Sequence, residues 1–269
     1  MMDTIMPDIP RFYTALAEWL ACMIFILPLK KRMAKKTIPL MAGALLVQSV
    51  FLVVTGNLMI YFWIPCMVIA VILMIGFIYG CCDIGSTDAI YFGMIAFVVA
   101  EFLASIEWQV MCFIWKGQMP ALWIRALMLI GIYGCIAFVL LKIMQTHLPK
   151  DGKMNISPKE LFSAQLIAIA VFAVSNLSFL TSNTPFSGTY SFEIGNIRTL
   201  VDIGGIAILY AHLIQCGELC VKKELEAVQN VLQNQYVQYK QSRESIDLIN
   251  YKYHDLKHQI AVLRSEEDP

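Results

Sequence analysis

The sequence predicts an all-α protein in which a polytopic bundle of about seven transmembrane helices precedes a long, dimeric coiled-coil helix. Hydrophobic residues make up 58% of the 269 residues and charged residues only 15%, against roughly 45–50% and about 25% in soluble globular proteins. The apolar residues lie in long blocks, and 16 of the 40 charged residues fall within residues 217–269. This composition argues against a soluble enzyme, a secreted disulfide scaffold, a disordered chain and a nucleic-acid-binding protein.

Seven apolar stretches are long enough to cross about 30 Å of hydrocarbon, which takes roughly 20 residues. Only Gly56 and Asn57 separate the second stretch from the third, which predicts a tight hairpin. Glu101 and Glu107 interrupt the fourth apolar stretch. The predicted spans are residues 12–29, 38–56, 58–80, 89–115, 121–141, 161–180 and 196–216.

The distribution of lysine and arginine predicts how these spans are oriented. Five of these residues lie within residues 30–36, four within residues 142–159, and two more at residues 222–223. The alternate loops hold only Arg11 and Lys116. Because cytoplasmic loops carry an excess of lysine and arginine, we expect an N-terminus outside the cell and a C-terminus in the cytoplasm.

Several charged residues lie at membrane depth, where charges are rare and commonly functional. Glu101 is well inside the fourth span, while Arg198 and Asp202 are four residues apart in the seventh and close enough to pair. One interpretation is that Glu101, Arg198 and Asp202 line a pocket for an extracellular ligand. The other is that these residues join helices by hydrogen bonds, while a side chain such as Arg125 extends towards the interface.

The eight cysteines do not form a pattern typical of disulfides or of a metal site. Four of them, Cys22, Cys66, Cys112 and Cys135, lie within apolar runs, where cysteine behaves as a small hydrophobic residue. The spacing of cysteine and histidine does not suit zinc. We therefore expect no metal site.

The C-terminal region contains an apolar repeat with alternating spacings of three and four residues. Ten of its twelve positions are apolar or aromatic over more than five heptads, which is typical of a coiled coil. Residues 221–268 contain no glycine or proline, which predicts a helix of about 45 residues and some 65 Å that pairs with a second copy in parallel. We call this stripe the apolar seam: Leu225, Val228, Leu232, Gln235, Tyr239, Ser242, Ile246, Ile249, Tyr253, Leu256, Ile260 and Leu263.

Next to the apolar seam, His254 and Asp255 lie on the predicted exposed flank of this helix. An exposed imidazole has a nitrogen that is able to attack an electrophile, and a neighbouring carboxylate orients the ring and accepts its proton. Residues 250–260 read Asn-Tyr-Lys-Tyr-His-Asp-Leu-Lys-His-Gln-Ile. This segment resembles the H-box of sensor histidine kinases with a GHKL-type ATPase domain, in the subgroup of polytopic peptide-pheromone receptors such as AgrC and ComD.

The resemblance implies that His254 is the phosphoacceptor and Asp255 the neighbouring base. It further implies that His258 or Gln259 orients water in the reverse, phosphatase reaction, and the residues do not decide between these two. A bacterial plasma membrane, quorum sensing through an extracellular peptide, a homodimer and a cytoplasmic response regulator are also implied by the resemblance.

The resemblance also predicts three segments: a sensor domain at 1–216, a coiled-coil linker at 217–249, and the start of the dimerisation and phosphotransfer helix at 250–269. In the family, an ATPase domain that binds Mg-ATP follows this helix. A GxGxxG or P-loop motif, which would hold phosphates, does not occur before Pro269. We therefore expect these residues to bind no cofactor and to need an ATPase domain from a longer chain or a partner.

Two other classes of function remain open from the residues alone. A small-solute transporter or channel is favoured by the intramembrane Glu101 and Glu107, although no internal repeat of broken spans accompanies them. In a non-catalytic membrane scaffold, His254 would be an ordinary polar residue of a dimeric helix.

Overall fold

The computed structural model describes residues 9–32, 34–56, 58, 60–115, 120–148, 154–177 and 191–267. These residues form helices and short connections, with one isolated antiparallel bridge between Lys31 and Cys82. The all-α prediction is confirmed for this part of the chain. The helices are α1 (Arg11–Ile26), α2 (Ala34–Thr55), α3 (Ile60–Cys81), α4 (Ser86–Trp115), α5 (Leu122–His147), α6 (Pro158–Ser175) and α7 (Ser191–Glu267).

Six of these helices are long and apolar enough to cross a membrane, so the chain is a membrane protein. The remaining helix, α1, has 16 residues and is shorter than the six. The predicted hairpin at Gly56 and Asn57 falls partly outside the described residues, because Asn57 is not among them. The six candidate spans are Thr37–Thr55, Phe62–Cys81, Ser86–Trp115, Leu122–Thr146, Pro158–Ser175 and the apolar portion of Glu193–Lys257.

Helix α4 lies at the centre of the bundle. It packs against α1, α3, α5 and α6. In the most apolar stretch of 18 residues, 83% of the residues of α4 are buried, against 17% of those of α2 and of α6. Glu101 and Glu107, which interrupt the apolar stretch of the sequence, lie within this single helix. Charged side chains at membrane depth face the interior of a bundle, so the helix that carries two of them becomes the innermost.

The peripheral helices α2, α5 and α6 turn long apolar side chains outward. Val50 of α2, Ile130 of α5 and Ile169 of α6 are each more than 60% exposed. Exposed apolar surface of this extent is unfavourable in water but not in hydrocarbon. The pattern is that of a bundle with an apolar exterior and an apolar core in which a smaller set of polar side chains is buried.

Three connections meet at the end of the bundle where α4 begins. Arg32 donates its backbone N–H to the carbonyl of Cys81 over 3.0 Å, and Asp83 donates to Lys30 over 2.9 Å. On the other side, the Asp88 carboxylate accepts from the backbone of Met154 and Ile156, at 3.3 and 3.1 Å. The loops that follow α1 and α3 and the segment that precedes α6 are therefore held together.

The chain divides into two compact units, Met1–Glu218 and Leu219–Pro269. In the second unit, all described residues up to Glu267 belong to α7, which begins at Ser191. The prediction of an unbroken helix over residues 221–267 is confirmed. The side chains of the apolar seam are exposed wherever they are described, with Leu225, Ile249 and Leu256 between 57% and 65% accessible.

Candidate functional site

A layer of polar side chains joins α4 to the part of α7 that lies in the first unit. Three of its residues belong to α4 and are spaced four apart, so they share one face of the helix. Four belong to α7. We call this set the polar layer: Glu101, Ser105, Gln109, Asn196, Arg198, Thr199 and Asp202.

The central contact of the polar layer is an ion pair between Arg198 and Glu101. The two side chains are only 13% and 5% exposed, so water screens the pair weakly. The sequence suggested that Arg198 would pair with Asp202, four residues along the same helix. Instead, the guanidinium of Arg198 binds a carboxylate 97 residues away in the chain.

One helical turn further along α7, Asp202 is almost completely buried. Its Oδ2 atom lies 3.1 Å from the Ser105 hydroxyl of α4, and its Oδ1 atom has no hydrogen-bond partner among the described residues. Ser175, the last residue of α6, lies beside this carboxylate. Three helices therefore meet at Asp202.

Two further contacts complete the polar layer towards the end of α4. The Gln109 side chain donates to Asn196, and its carbonyl oxygen accepts from the Thr199 hydroxyl over 2.6 Å. Sequence analysis did not single out Gln109, Asn196 or Thr199. The spacing of Glu101, Ser105 and Gln109 was the available signal, because polar residues at every fourth position mark one buried face of a membrane helix.

A second, partly buried network, also not predicted, surrounds His212 of α7. Its Nδ1 atom lies 2.9 Å from the Tyr91 hydroxyl of α4, and its Nε2 atom lies 2.6 Å from the Ser163 hydroxyl of α6. Buried polar groups need such partners, and here the partners belong to two other helices. His212 thus connects the same three helices that meet at Asp202.

Glu18 and Glu107 are two further buried carboxylates outside these networks. Glu18 of α1 accepts from the Gln48 side chain of α2. Glu107 of α4 is fully buried, and neither of its carboxylate oxygens has a hydrogen-bond partner among the described residues. Arg125, which the sequence suggested would extend to the interface, places its guanidinium 5.6 Å from the centre of the Tyr13 ring.

The predicted phosphoacceptor residues lie on α7 in the second unit. His254 and Asp255 are adjacent and both exposed to solvent, and Gln259 is exposed one turn further on. The backbone of His258 is helical, but its side chain lies outside what is described. The structure therefore leaves His254 accessible to another molecule, and its role as a phosphoacceptor stays a prediction.

The eight cysteines form no disulfide bond, and five of them are buried. At the connection between α3 and α4, burial raises the pKa of the Cys82 thiol to about 12, so it remains protonated and unreactive at neutral pH. Among the described residues, no group of three or more histidine, cysteine, aspartate or glutamate side chains is arranged to hold a metal ion.

Comparison of the chain with known protein families, with curated proteins and with solved structures finds no match. The functional argument therefore depends on the residues and their geometry.

Proposed function

We propose that the chain is the membrane sensor and phosphoacceptor portion of a two-component sensor histidine kinase. The observation that carries the proposal is the segment at residues 250–260, in which His254 and Asp255 are adjacent and exposed on a helix. A nucleophilic imidazole must be reachable by the phosphoryl donor and benefits from a carboxylate that accepts its proton. The sequence around this pair supplies the resemblance to an H-box.

In this proposal, His254 attacks the γ-phosphorus of Mg-ATP held by a GHKL-type ATPase domain, supplied by a longer chain or by a partner. The bond from that phosphorus to the bridging oxygen of ADP breaks, and Asp255 takes the proton released from the imidazole. An aspartate of a cytoplasmic response regulator then receives the phosphoryl group. His258 or Gln259 orients the water that removes it in the reverse reaction.

The signal is proposed to pass along α7. This helix contributes Arg198 and Asp202 to the polar layer and carries His254 without a helix break between them. A ligand that reaches the bundle from outside, of which a peptide is the class that the resemblance suggests, would favour one of two packings of α4 against α7. Bistable helix packing of this kind is an established route for switching.

The membrane topology we propose has seven crossings, with α1 as the first. Its 16 residues span about 24 Å as a helix, and the apolar Leu27 and Leu29 extend it towards the lysines that follow. The connection of Lys30 and Arg32 to the loop after α3 is consistent with this topology, which places both loops on the cytoplasmic side. The C-terminus is then cytoplasmic, in a bacterial plasma membrane.

The test is phosphorylation of the chain in membranes of the cells that make it naturally, so that any ATPase domain it needs is present. Vesicles with the cytoplasmic face outward are incubated with ATP labelled at the γ-phosphate. We expect a label that is stable to base and lost in acid. Trypsin cleaves after Lys252 and Lys257, which separates the peptide carrying His254 from the one carrying His258, and we expect the label on the former.

The substitution His254→Gln should abolish this label, whereas the matched control His258→Gln should retain it. Sealed vesicles of the opposite orientation should remain unlabelled until they are opened. A label that persists in His254→Gln, or that lies on serine or threonine, would contradict the proposal and favour the non-catalytic scaffold.

A further inference from the structure

The polar layer around Asp202 contains more negative than positive charge. Glu101 and Asp202 contribute two carboxylates to the polar layer, and Arg198, which pairs with Glu101, contributes one guanidinium. The Asp202 Oδ1 atom and the Ser175 hydroxyl oxygen are both buried, and neither has a hydrogen-bond partner among the described residues. Since Asp202 is 1% exposed and Ser175 is 2% exposed, bulk water does not supply the missing contacts.

The Ser105 hydroxyl lies close to two possible hydrogen-bond acceptors. Its oxygen lies 2.7 Å from the backbone carbonyl oxygen of Glu101 and 3.1 Å from Oδ2 of Asp202. A serine hydroxyl has one proton to donate. When that proton is directed to the nearer acceptor, the carbonyl of Glu101, the lone pairs of Ser105 face those of Asp202. Oδ2 of Asp202 then receives no proton from Ser105, and a cation beside the two oxygens would offset their repulsion.

We propose that Asp202, Ser105 and Ser175 bind one monovalent metal cation of the size of Na⁺. Carboxylate and hydroxyl oxygens are ligands that hard cations prefer, and a single positive charge balances the second carboxylate of the polar layer. A divalent ion fits less well, because Ca²⁺ takes six to eight oxygen ligands and Mg²⁺ retains several waters. Desolvation also disfavours a doubly charged ion where only one negative charge is uncompensated.

The three ligands belong to three helices, α4, α6 and α7. A bound cation would therefore stabilise the packing of α7 against the other two, at the place where the first unit holds this helix. The site does not depend on the assignment of His254 as a phosphoacceptor. If that assignment is also correct, the Na⁺ concentration would bias the state of the sensor.

The experiment measures thermal unfolding of the full chain in lipid nanodiscs, with a thiol-reactive dye that reports exposure of the buried cysteines. Unfolding is compared in NaCl and in choline chloride of equal concentration and pH. At about 100 times the Kd for Na⁺, we expect Na⁺ to raise the Tm by about 5 °C. Direct binding of radioactive ²²Na⁺ should saturate at one ion per chain.

Asp202→Asn should remove both the Tm response and the binding of ²²Na⁺, and Ser175→Ala should weaken binding about tenfold. Glu107→Gln, which removes a different buried carboxylate, should leave both unchanged. A wild-type Tm that is equal in NaCl and choline chloride, together with no saturable ²²Na⁺ binding, would overturn the proposal and indicate that Asp202 carries a proton. Retention of ²²Na⁺ binding by Asp202→Asn would overturn it as well.

Discussion

The two units of the chain differ in how well a single copy accommodates their side chains. In the first, Met1–Glu218, buried charges such as Glu101 and Arg198 find their partners on other helices of the same chain. In the second, Leu219–Pro269, apolar side chains such as Leu232 and Ile249 are exposed. The first unit therefore contains most of the contacts that its membrane environment demands. The second has an apolar surface that a single copy in water leaves uncovered, and a second copy of the helix would cover it.

The largest effect is expected from removing the positively charged side chain of the buried ion pair, that of Arg198. Arg198→Gln leaves the Glu101 carboxylate buried without its guanidinium, which should lower the free energy of unfolding by about 3–5 kcal/mol. The measurement is an unfolding titration of the full chain in mixed detergent micelles. Adding Glu101→Gln to this variant should restore part of the loss, because the uncompensated charge is then gone.

The matched control is the exposed pair of Lys240 and Glu244 in the second unit, whose charged atoms are 3.9 Å apart. Lys240→Gln should give no measurable change, since exposed ion pairs are screened by water. Equal effects of Arg198→Gln and Lys240→Gln would remove the contrast between the two units.

A smaller loss is expected where α6 and α7 approach closely. A Cβ atom added at Gly205 would lie 2.7 and 2.8 Å from the two methyl groups of Val171, so rotation of that side chain does not relieve the clash. Gly205→Ala should lower the free energy of unfolding by about 1–3 kcal/mol. Gly204, the adjacent residue, has open space at the same position.

Gly204→Ala is therefore the control, and it should be neutral or slightly stabilising because alanine favours the helix. Both variants are measured by the same unfolding titration. If the two substitutions act alike, close packing of α6 against Gly205 is not what holds α7 in the bundle.

The smallest effect concerns the exposed surface of the second unit. Ile249→Asp places a charge in the apolar seam and should weaken self-association of the full chain about tenfold or more, which corresponds to about 1.4 kcal/mol. Energy transfer between two labelled populations in liposomes measures the association. Leu248→Asp is the control, because Leu248 is similarly exposed at 57% but lies outside the seam. Equal loss in both variants would mean that the seam is not the dimer surface.

The positions of the helices were largely predictable, because an apolar block of about 20 residues has few alternatives to a membrane helix. The start of α6 was placed three residues too late. Ser157 and Glu160 form a capping box, with Pro158 at the first helical position, and these residues are recognisable signals for the start of a helix. Polar capping residues lie outside the apolar block, so a search for hydrophobicity alone passes over them.

The partners of the buried charges were not predictable. Asp202 is the nearest carboxylate to Arg198 along the chain, yet the ion pair forms with Glu101, because the packing of α4 against α7 decides which groups meet. The exposure of His254 followed from its position beside the apolar seam. Phosphorylation of His254 was inferred from the residues around it in the sequence. The exposed position of His254 on a helix does not test that inference.

The ion pair also constrains how the protein is made. Glu101 leaves the ribosome 97 residues before Arg198, a delay of roughly 5–20 s at about 5–20 residues per second. During that interval, Arg198 has not yet been synthesised. The Glu101 carboxylate, in the middle of a transmembrane segment, therefore lacks the guanidinium with which it later pairs. We therefore expect helix α4 to remain beside the insertion machinery until α7 is synthesised.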